Sequence, residues 1–591
     1  MRVKVADYIM HRLAAETGHV FFLPGGGCMH LVEALRTEPG LTPVACLHEQ
    51  VCAIAADAYS QYTGALGAAL VTAGPGSTNA ITGVAASWID SIPVVVVSGQ
   101  AKTTELISDW HVRQMGVQEV DTTALVGPVT KYAAVVREPA AVRRHVDEAL
   151  AACRLGRPGP VWLDVPLDVQ GATVEADDLE PGAPLLDAGL AGEAELDEAA
   201  ARTAELIAAA RRPVVLAGNG VRQAGALDAF LAWIELVRLP LLTTWKAADF
   251  VADDHPLFIG RPGSVGQRAA NFAQQTADLV IVLGARLDLP QVGFDSAAFA
   301  PRARKVVVDA DAAEIDKLGF VPDVAVRADA GAYLRHLARR TAEWRDDHGW
   351  LARCHEWRAR WPWIPAGSHD GDLVDTYALV DVLSEQLTPA DVLVPGSSGG
   401  PAEVTMQAFR VKAGQRVFNS PGLGSMGFGL PASIGAAVAS GRRVVTIIGD
   451  GGLQHNVQEL QTLRRLGLPV KLLVLNNDGY GSIRASQRHH FDGMLAADSS
   501  SGLTLPDLQA LARAYKLSAF RVEGNADLAG GVARALAEPG PVVCELMVDP
   551  DVATQPRLST TVGADGRIVS SPLEDLWPFL DREELAAIME G

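Results

Sequence analysis

The chain is short of cysteine, of positive charge and of long apolar runs. Its six Cys (Cys28, Cys46, Cys52, Cys153, Cys354 and Cys544) show no metal-ligand spacing and are too few for a disulfide framework in so long a protein. Buried free thiols are expected. Lys and Arg number 50 against 70 Asp and Glu, a formal charge of -20. That balance argues against nucleic acid or an anionic membrane surface as the main partner, while leaving anionic small molecules open, since local charge decides their binding. No apolar run reaches the roughly 18 residues of a spanning helix, and the first residues carry no charged-then-apolar signal pattern. The expectation is a cytoplasmic protein with no membrane partner.

What the chain does have is 48% apolar residues together with 57 Gly and 34 Pro, a mixture suited to a well-packed α/β protein with many turns. At 591 residues it exceeds one hydrophobic core and divides into three domains of roughly 150–200 residues. In residues 1–172 strands are expected at His19–Leu23, Val44–Leu47, Gly67–Thr72 and Pro93–Ser98, with helices at Val5–Glu16, Val51–Thr63 and Thr78–Ser87. Residues 192–342 repeat the rhythm with a helix at Glu193–Ala209 and strands at Arg212–Ala217, Leu239–Thr244, Asp278–Leu283 and Lys305–Asp309, without a GxGxxG fingerprint. Residues 370–555 make a third such domain, and 556–591 read as a C-terminal arm. Thr173–Ala191 reads as a linker, and the five Trp of Glu343–His369 as linker or interface packing. The fold class is therefore α/β, with three Rossmann-like domains whose parallel sheets are flanked by helices.

The most informative stretch is VTIIGDGGLQHNVQELQTLRRLGLPVKLLVLNNDGYGSIR, Val445–Arg484. Val444–Ile448 is too short and too β-branched for a helix and reads as a buried parallel strand. Gly449-Asp450-Gly451-Gly452 follows as a turn, Val457–Arg465 as a helix, and Val470–Leu475 as a second strand leading to Asn476-Asn477. Asp450 and Asn477 thus fall at the same end of two parallel strands, where open α/β sheets bind ligands. One carboxylate and one amide oxygen, beside glycines that leave room for phosphate, suit Mg2+ holding a diphosphate. An ordinary phosphate loop or tight turn is the plainer alternative.

The GDG … NN arrangement resembles the motif of thiamine diphosphate (ThDP) enzymes. The resemblance implies that Asp450, Asn477 and the Gly479 carbonyl hold Mg2+, with Gly449, Gly451 and Gly452 around the diphosphate. LPGGG at Leu23–Gly27, LHEQ at Leu47–Gln50, TAGPGSTNAITG at Thr72–Gly83 and GRPGPVWLDVP at Gly156–Pro166 are similar to the acetolactate synthase branch, over nearly the whole chain. By that likeness Glu49 is the carboxylate on N1' of the aminopyrimidine. Gln118 faces the reacting groups, and Gly25 and Gly26 line the same cavity. The segment Gly422–Pro431 resembles the family's GxGxMGxxLP, in which the backbone at Gly424 and Met426 meets the aminopyrimidine and the Met426 side chain wedges beneath the cofactor. On position alone Glu49 could be a helix-dipole carboxylate, Gln118 a loop amide and Met426 core filler.

In acetolactate synthases the middle domain holds a structural FAD. The likeness carries this to Arg157, Gly218, Gly220, Thr244, Gly263, Arg286, Asp288, Asp311 and Asp329, with an empty domain of the same fold as the alternative. It also implies a homodimer or homotetramer, because Glu49 and Asp450 of this family meet across subunits. Two departures bear on the substrate. Val117 stands where acetolactate synthases carry Phe, and Leu167 where they carry Lys. LPGGGCMH, RQMGVQEVD and PLDVQ look more like the relatives that build branched sugars. The expected activity is decarboxylation of pyruvate with transfer of the two-carbon unit to a carbonyl acceptor, a nucleotide-linked 4-keto deoxysugar first and a second pyruvate as the alternative. His489 and His490 are candidate acceptor contacts, and the arm a candidate cover for the site.

Overall fold

The computed structural model describes residues 1–591 except 108–109, 111, 186–188, 563–567 and 591. Three parallel sheets organise it, and the central strands of each are short apolar runs buried on both faces. The first runs, in spatial order, Thr42–Ala45, His19–Phe22, Gly67–Val71, Val94–Gln100, Val161–Pro166 and Tyr132–Val135. The second runs Phe258–Gly260, Leu241–Thr243, Pro213–Ala217, Leu279–Leu283, Arg304–Asp309 and Val324–Arg327. The third includes Val392–Pro395, Val444–Gly449, Val470–Asn476, Val542–Met547 and Ser518–Val522 in that order. Burial of both faces explains why these strands carry unbroken runs such as Val94–Val97, all fully buried, in place of apolar–polar alternation.

The chain forms two compact units. One comprises Met1–Asp187, Asp391–Ala402 and Asn419–Pro550, and the other Ala188–Ala390, Glu403–Phe418 and Asp551–Gly591. The first unit therefore carries two of the sheets. Its central helix, Glu49–Thr63, is buried from Val51 to Gln61, and its small residues let two neighbours approach at backbone distance. A Cβ on Gly435 of helix Gly429–Ser440 would lie 2.2 Å from the Ala55 carbonyl oxygen, and one on Gly83 of helix Pro75–Asp90 would lie 2.5 Å from the Ala53 Cβ.

In the second unit the described part of the C-terminal arm is bound by buried polar side chains. Asn271 Nδ2 donates to the Leu573 carbonyl (2.8 Å), Arg268 Nη1 to that of Leu576 (3.1 Å), and Gln407 Nε2 to that of Pro556 (2.8 Å). The tryptophan-rich segment packs as expected. Trp350 and Trp357 are buried on helix Trp350–Arg360 and meet edge-on, and Trp350 Nε1 donates to the Pro213 carbonyl. All six Cys are free and buried.

One expectation needs correcting. The start of the stretch read as a linker is a strand: Thr173–Glu175 pairs antiparallel with Arg2–Lys4. Its composition, with polar and acidic residues, gave no apolar signal because this two-stranded ribbon is largely exposed. Residues 186–188 of that stretch lie outside the described residues. No described helix is long and apolar enough to cross a membrane.

Candidate active site

Val444–Gly449 and Val470–Asn476 are adjacent and parallel, with Gly449 opposite Leu475. Asp450 and Asn477 consequently leave the sheet at one edge. The local path differs from the expected turn and helix. Asp450–Leu453 is already a helical turn, Gln454–Glu459 is 3-10, and the α-helix runs over Leu460–Leu466, starting three residues later than the expected Val457–Arg465. Asn456, at φ -136°, breaks the run, and its Nδ2 donates to the Gly427 carbonyl at 3.0 Å. A tertiary bond thus overrides the helical periodicity.

Asp450 is 2% exposed. Its Oδ1 accepts from the Gly451 N–H (2.8 Å) and its Oδ2 from the Gly479 N–H (3.0 Å). Burial pushes its carboxyl up to about 6 against these donors, as desolvation of a charged group does. With its NH2 turned inward, the Asn477 amide donates to the Gly479 carbonyl (2.8 Å) and to Asp450 Oδ1 (3.3 Å). Rotation of that amide would present its oxygen in the same place, and a carboxylate, an amide oxygen and a backbone carbonyl together are a donor set that fits Mg2+. No group of three His, Cys, Asp or Glu side chains with metal-binding geometry occurs among the described residues.

Near the same sheet edge, Gly424 (φ +63°) and Gly427 (φ +81°) flank Met426, which is 40% exposed. Alanine at Gly427 would be strained twice, by its φ and by the His455 Cβ 2.6 Å from the added carbon. Ser420 Oγ, Ser425 Oγ and Asn456 Oδ1 are buried without a hydrogen-bond partner. Buried polar groups are normally satisfied, so these orphaned atoms fit a segment that receives a polar ligand. The residues present fit a diphosphate-bearing cofactor with its metal.

Glu49 opens its helix behind His48, whose Nδ1 accepts from the Gln50 N–H. It is 7% exposed, and Oε2 accepts from Asn79 Nδ2 at 3.0 Å. Asn79 was visible inside the Thr72–Gly83 motif but drew no role there. Glu459 was missed altogether. Its Oε1 accepts from the Leu47 N–H at 2.7 Å, tying the corner before Glu49 to the diphosphate segment. No hydrogen bond joins Glu49 to Asp450, Asn477 or Gly479 among the described residues.

Gln118 adopts φ +57° and is exposed. Its loop is held by Glu119, which is 2% exposed and accepts from the N–H groups of Ile107, Met115 (3.1 Å) and Gly116 (2.9 Å). A Cβ on Gly26 would meet nothing within 4 Å, so open space lies beside it. Val117 is 87% exposed, and Leu167 opens the short helix Leu167–Gly171. His489 and His490 meet edge-on at an exposed helix end.

In the second unit, Gly218, Thr244, Gly263, Arg286, Asp311 and Asp329 all follow the carboxyl ends of strands. Each also has a local role. Asp288, Asp311 and Asp329 cap the helices that follow them, Arg286 Nη2 donates to Asp288 Oδ2 (2.9 Å), and the Gly218 and Gly220 N–H groups donate to the Leu283 and Gly284 carbonyls. Arg157, in the other unit, donates from Nε to Ser91 Oγ at 2.8 Å.

Residues 3–125, 200–337 and 398–546 fit the N-terminal thiamine pyrophosphate-binding domain, the central domain and the C-terminal thiamine pyrophosphate-binding domain of thiamine pyrophosphate enzymes. The chain is 36% identical over 539 residues to an acetolactate synthase large subunit of Parasynechococcus marenigrum, covering 90% of this chain and 85% of that one. It is 34% identical over 550 residues to the acetolactate synthase isozyme 2 large subunit of Escherichia coli, covering 92% and 95%. A Corynebacterium glutamicum acetolactate synthase large subunit is 32% identical over 96% of this chain and 90% of its own. On this evidence the chain belongs to the thiamine pyrophosphate enzymes, in the branch that holds the acetolactate synthase large subunits.

Proposed function

We propose that the protein is a ThDP- and Mg2+-dependent carboligase that takes two pyruvate and one proton to 2-acetolactate and CO2. The observation that carries this reading is the meeting of the Asp450 carboxylate, the Asn477 side-chain amide and the Gly479 carbonyl beyond two adjacent parallel strands, in a chain whose whole-length relatives are named acetolactate synthase large subunits. This places a second pyruvate ahead of the nucleotide-linked keto sugar as acceptor.

Asp450, Asn477 and the Gly479 carbonyl hold Mg2+ and, through it, the diphosphate. Gly449, Gly451, Gly452 and Gly424 leave room for the cofactor, and Met426 supports it with a partly exposed thioether. Glu49, steadied by Asn79, exchanges a proton at N1' of the aminopyrimidine. Gln118 orients the substrate, and Gly26 leaves its approach open. When bound, the cofactor supplies the electron sink that takes up the bonding pair as CO2 leaves. The resemblance to a family in which the matching Glu and Asp meet across subunits supports a homodimer or homotetramer that completes the site.

The residues at the carboxyl edge of the middle sheet (Gly218, Gly220, Thr244, Gly263, Arg286, Asp288, Asp311 and Asp329), with Arg157, form the FAD proposal. Flavin absorbance of the purified protein tests it, and a colourless protein that takes up no added FAD refutes it. The division into domains 1–172, 192–342 and 370–555 with an arm at 556–591, and a cytoplasmic location, belong to the same reading.

A keto-sugar acceptor is the second reading. It is favoured by the exposed Val117 and by Leu167, which replace an aromatic ring and an ammonium group. Incubation with pyruvate, ThDP and Mg2+, with and without a 4-keto-6-deoxy sugar nucleotide, separates the two by product mass. Acetolactate without the sugar and no adduct with it supports the first reading. A sugar adduct with negligible acetolactate overturns it in favour of the second.

A further inference from the structure

Glu545 touches none of the proposed cofactor ligands, yet it is wired to the loop that carries two of them. It lies on Val542–Met547, alongside Val470–Asn476, and is fully buried. Three donors meet its carboxylate: Asn476 Nδ2 on Oε1 (2.7 Å), and Gln509 Nε2 (3.0 Å) and Arg521 Nε (2.9 Å) on Oε2. A buried carboxylate is tolerated when paired and hydrogen-bonded in this way. At its other end the planar Asn476 amide accepts the Asp478 N–H at Oδ1, 3.2 Å, while the Asn476 carbonyl accepts from the Val548 N–H.

That bond matters because the loop is strained. Asp478 sits at φ +61° and Gly479 at φ +130°, and a left-handed non-glycine residue persists only where its surroundings hold it. Arg484 clamps the far side, donating from Nη1 to the Asn477 carbonyl (3.0 Å) and from Nη2 to that of Pro550 (2.9 Å). Asn477 and Gly479 are therefore presented from a loop braced at both ends.

We propose that Glu545 is a positioning residue that fixes the metal loop through Asn476, and so sets the affinity and ion preference of the Mg2+ site. The inference rests on the proposed Asp450–Asn477–Gly479 site. In Glu545→Gln the new amide faces donors on both oxygens' former partners, so one contact is lost. If Asn476 turns to compensate, its Oδ1 leaves the Asp478 N–H. Mg2+ requires near-octahedral ligands at short distance, whereas Ca2+ accepts longer and less regular ones. Loosening the loop thus costs Mg2+ more than Ca2+.

The test is calorimetric titration of the metal-free full-length protein, saturated with ThDP, with MgCl2 and with CaCl2. Glu545→Gln is expected to weaken Mg2+ by about tenfold, the lower end of the roughly 10–100-fold cost of removing a direct partner of a metal ligand because Glu545 acts one bond further out, with Ca2+ weakened by no more than about threefold. Mg2+ binding within about threefold of wild type, or equal loss of both ions, overturns the proposal. Arg521→Gln, at a partly exposed guanidinium (36%), decides the matter should Glu545→Gln fail to fold. It should weaken Mg2+ by about threefold and leave Ca2+ unchanged, and no change overturns the proposal. Asp450→Ala separates the two levels. Wild-type Mg2+ affinity in that variant sinks the site itself, whereas loss of Mg2+ there with no shift in Glu545→Gln sinks only the role of Glu545.

Discussion

Replacing Gly435 by alanine puts a methyl carbon 2.2 Å from the Ala55 oxygen, 2.9 Å from its carbonyl carbon and 3.0 Å from its Cα. Carbon and oxygen need about 3.3–3.5 Å, so helices Glu49–Thr63 and Gly429–Ser440 must part by about 1 Å. The obstruction is helical backbone and cannot swing aside as a side chain would. Overpacking of this kind costs about 1–3 kcal/mol or more, and parting the helices forfeits contacts along the alanine face. Alanine's better helix propensity returns about 1 kcal/mol. The obstruction being rigid backbone, the overpacking cost lies at the upper end of its range, and the net expectation is destabilisation by about 2 kcal/mol, a fall of roughly 3 °C in the calorimetric midpoint for a unit of this size. Gly530, inside helix Asn525–Ala537, is the control, because nothing lies within 4 Å of its Cβ position. There the same change should stabilise by about 0.5–1 kcal/mol. A Gly435→Ala protein as stable as wild type, beside a Gly530→Ala protein that gains, would refute the close-packed crossing.

Other consequences concern buried groups. Asp164 is fully buried, accepts from Ser98 Oγ (2.5 Å) and Gln100 Nε2 (2.8 Å), and burial raises its carboxyl to about 7. The folded state holds this proton longer than the unfolded chain does, so its stabilising effect is full below about pH 4 and is lost as pH rises to about 7, some 4 kcal/mol in all. Asp164→Asn should therefore gain stability relative to wild type between pH 5 and pH 8 in urea unfolding, and a pH-independent difference would contradict this. All six thiols are buried, and burial pushes Cys153 and Cys544 up to about 12. Native protein at pH 8 should show no thiol reacting with an aromatic disulfide reagent within minutes, and rapid labelling of two or more would contradict the packing.

Much of the fold was legible because the strands are buried on both faces and so appear as unbroken apolar runs. Val444–Gly449 and Val470–Asn476 were placed to within a residue, and their common end located Asp450 and Asn477. The segment between them was read less well, because Asn456 leaves helical geometry to bond Gly427, a partner remote in sequence. Thr173–Glu175 went unseen because an exposed two-stranded ribbon needs no apolar pattern. Within the site, residue type and motif exposed Glu49 and Met426, while Asn79 and Glu459 owe their places to folding. A donor beside Glu49 and an acceptor for the Leu47 N–H are properties of the assembled sheets. The aspartates read as flavin contacts also cap the helices that follow them, and N-caps and cofactor ligands look alike in sequence.

The central claim is that Glu49 works on the cofactor whose metal Asp450, Asn477 and Gly479 hold. Hydrogen–deuterium exchange at C2 of protein-bound ThDP, compared between wild type and Glu49→Gln by NMR after acid quench, tests it most directly. The account predicts that the variant still binds ThDP and Mg2+ with near wild-type affinity, while exchange slows by about 10^2–10^4-fold. Unchanged exchange in a variant with the cofactor fully bound would contradict it.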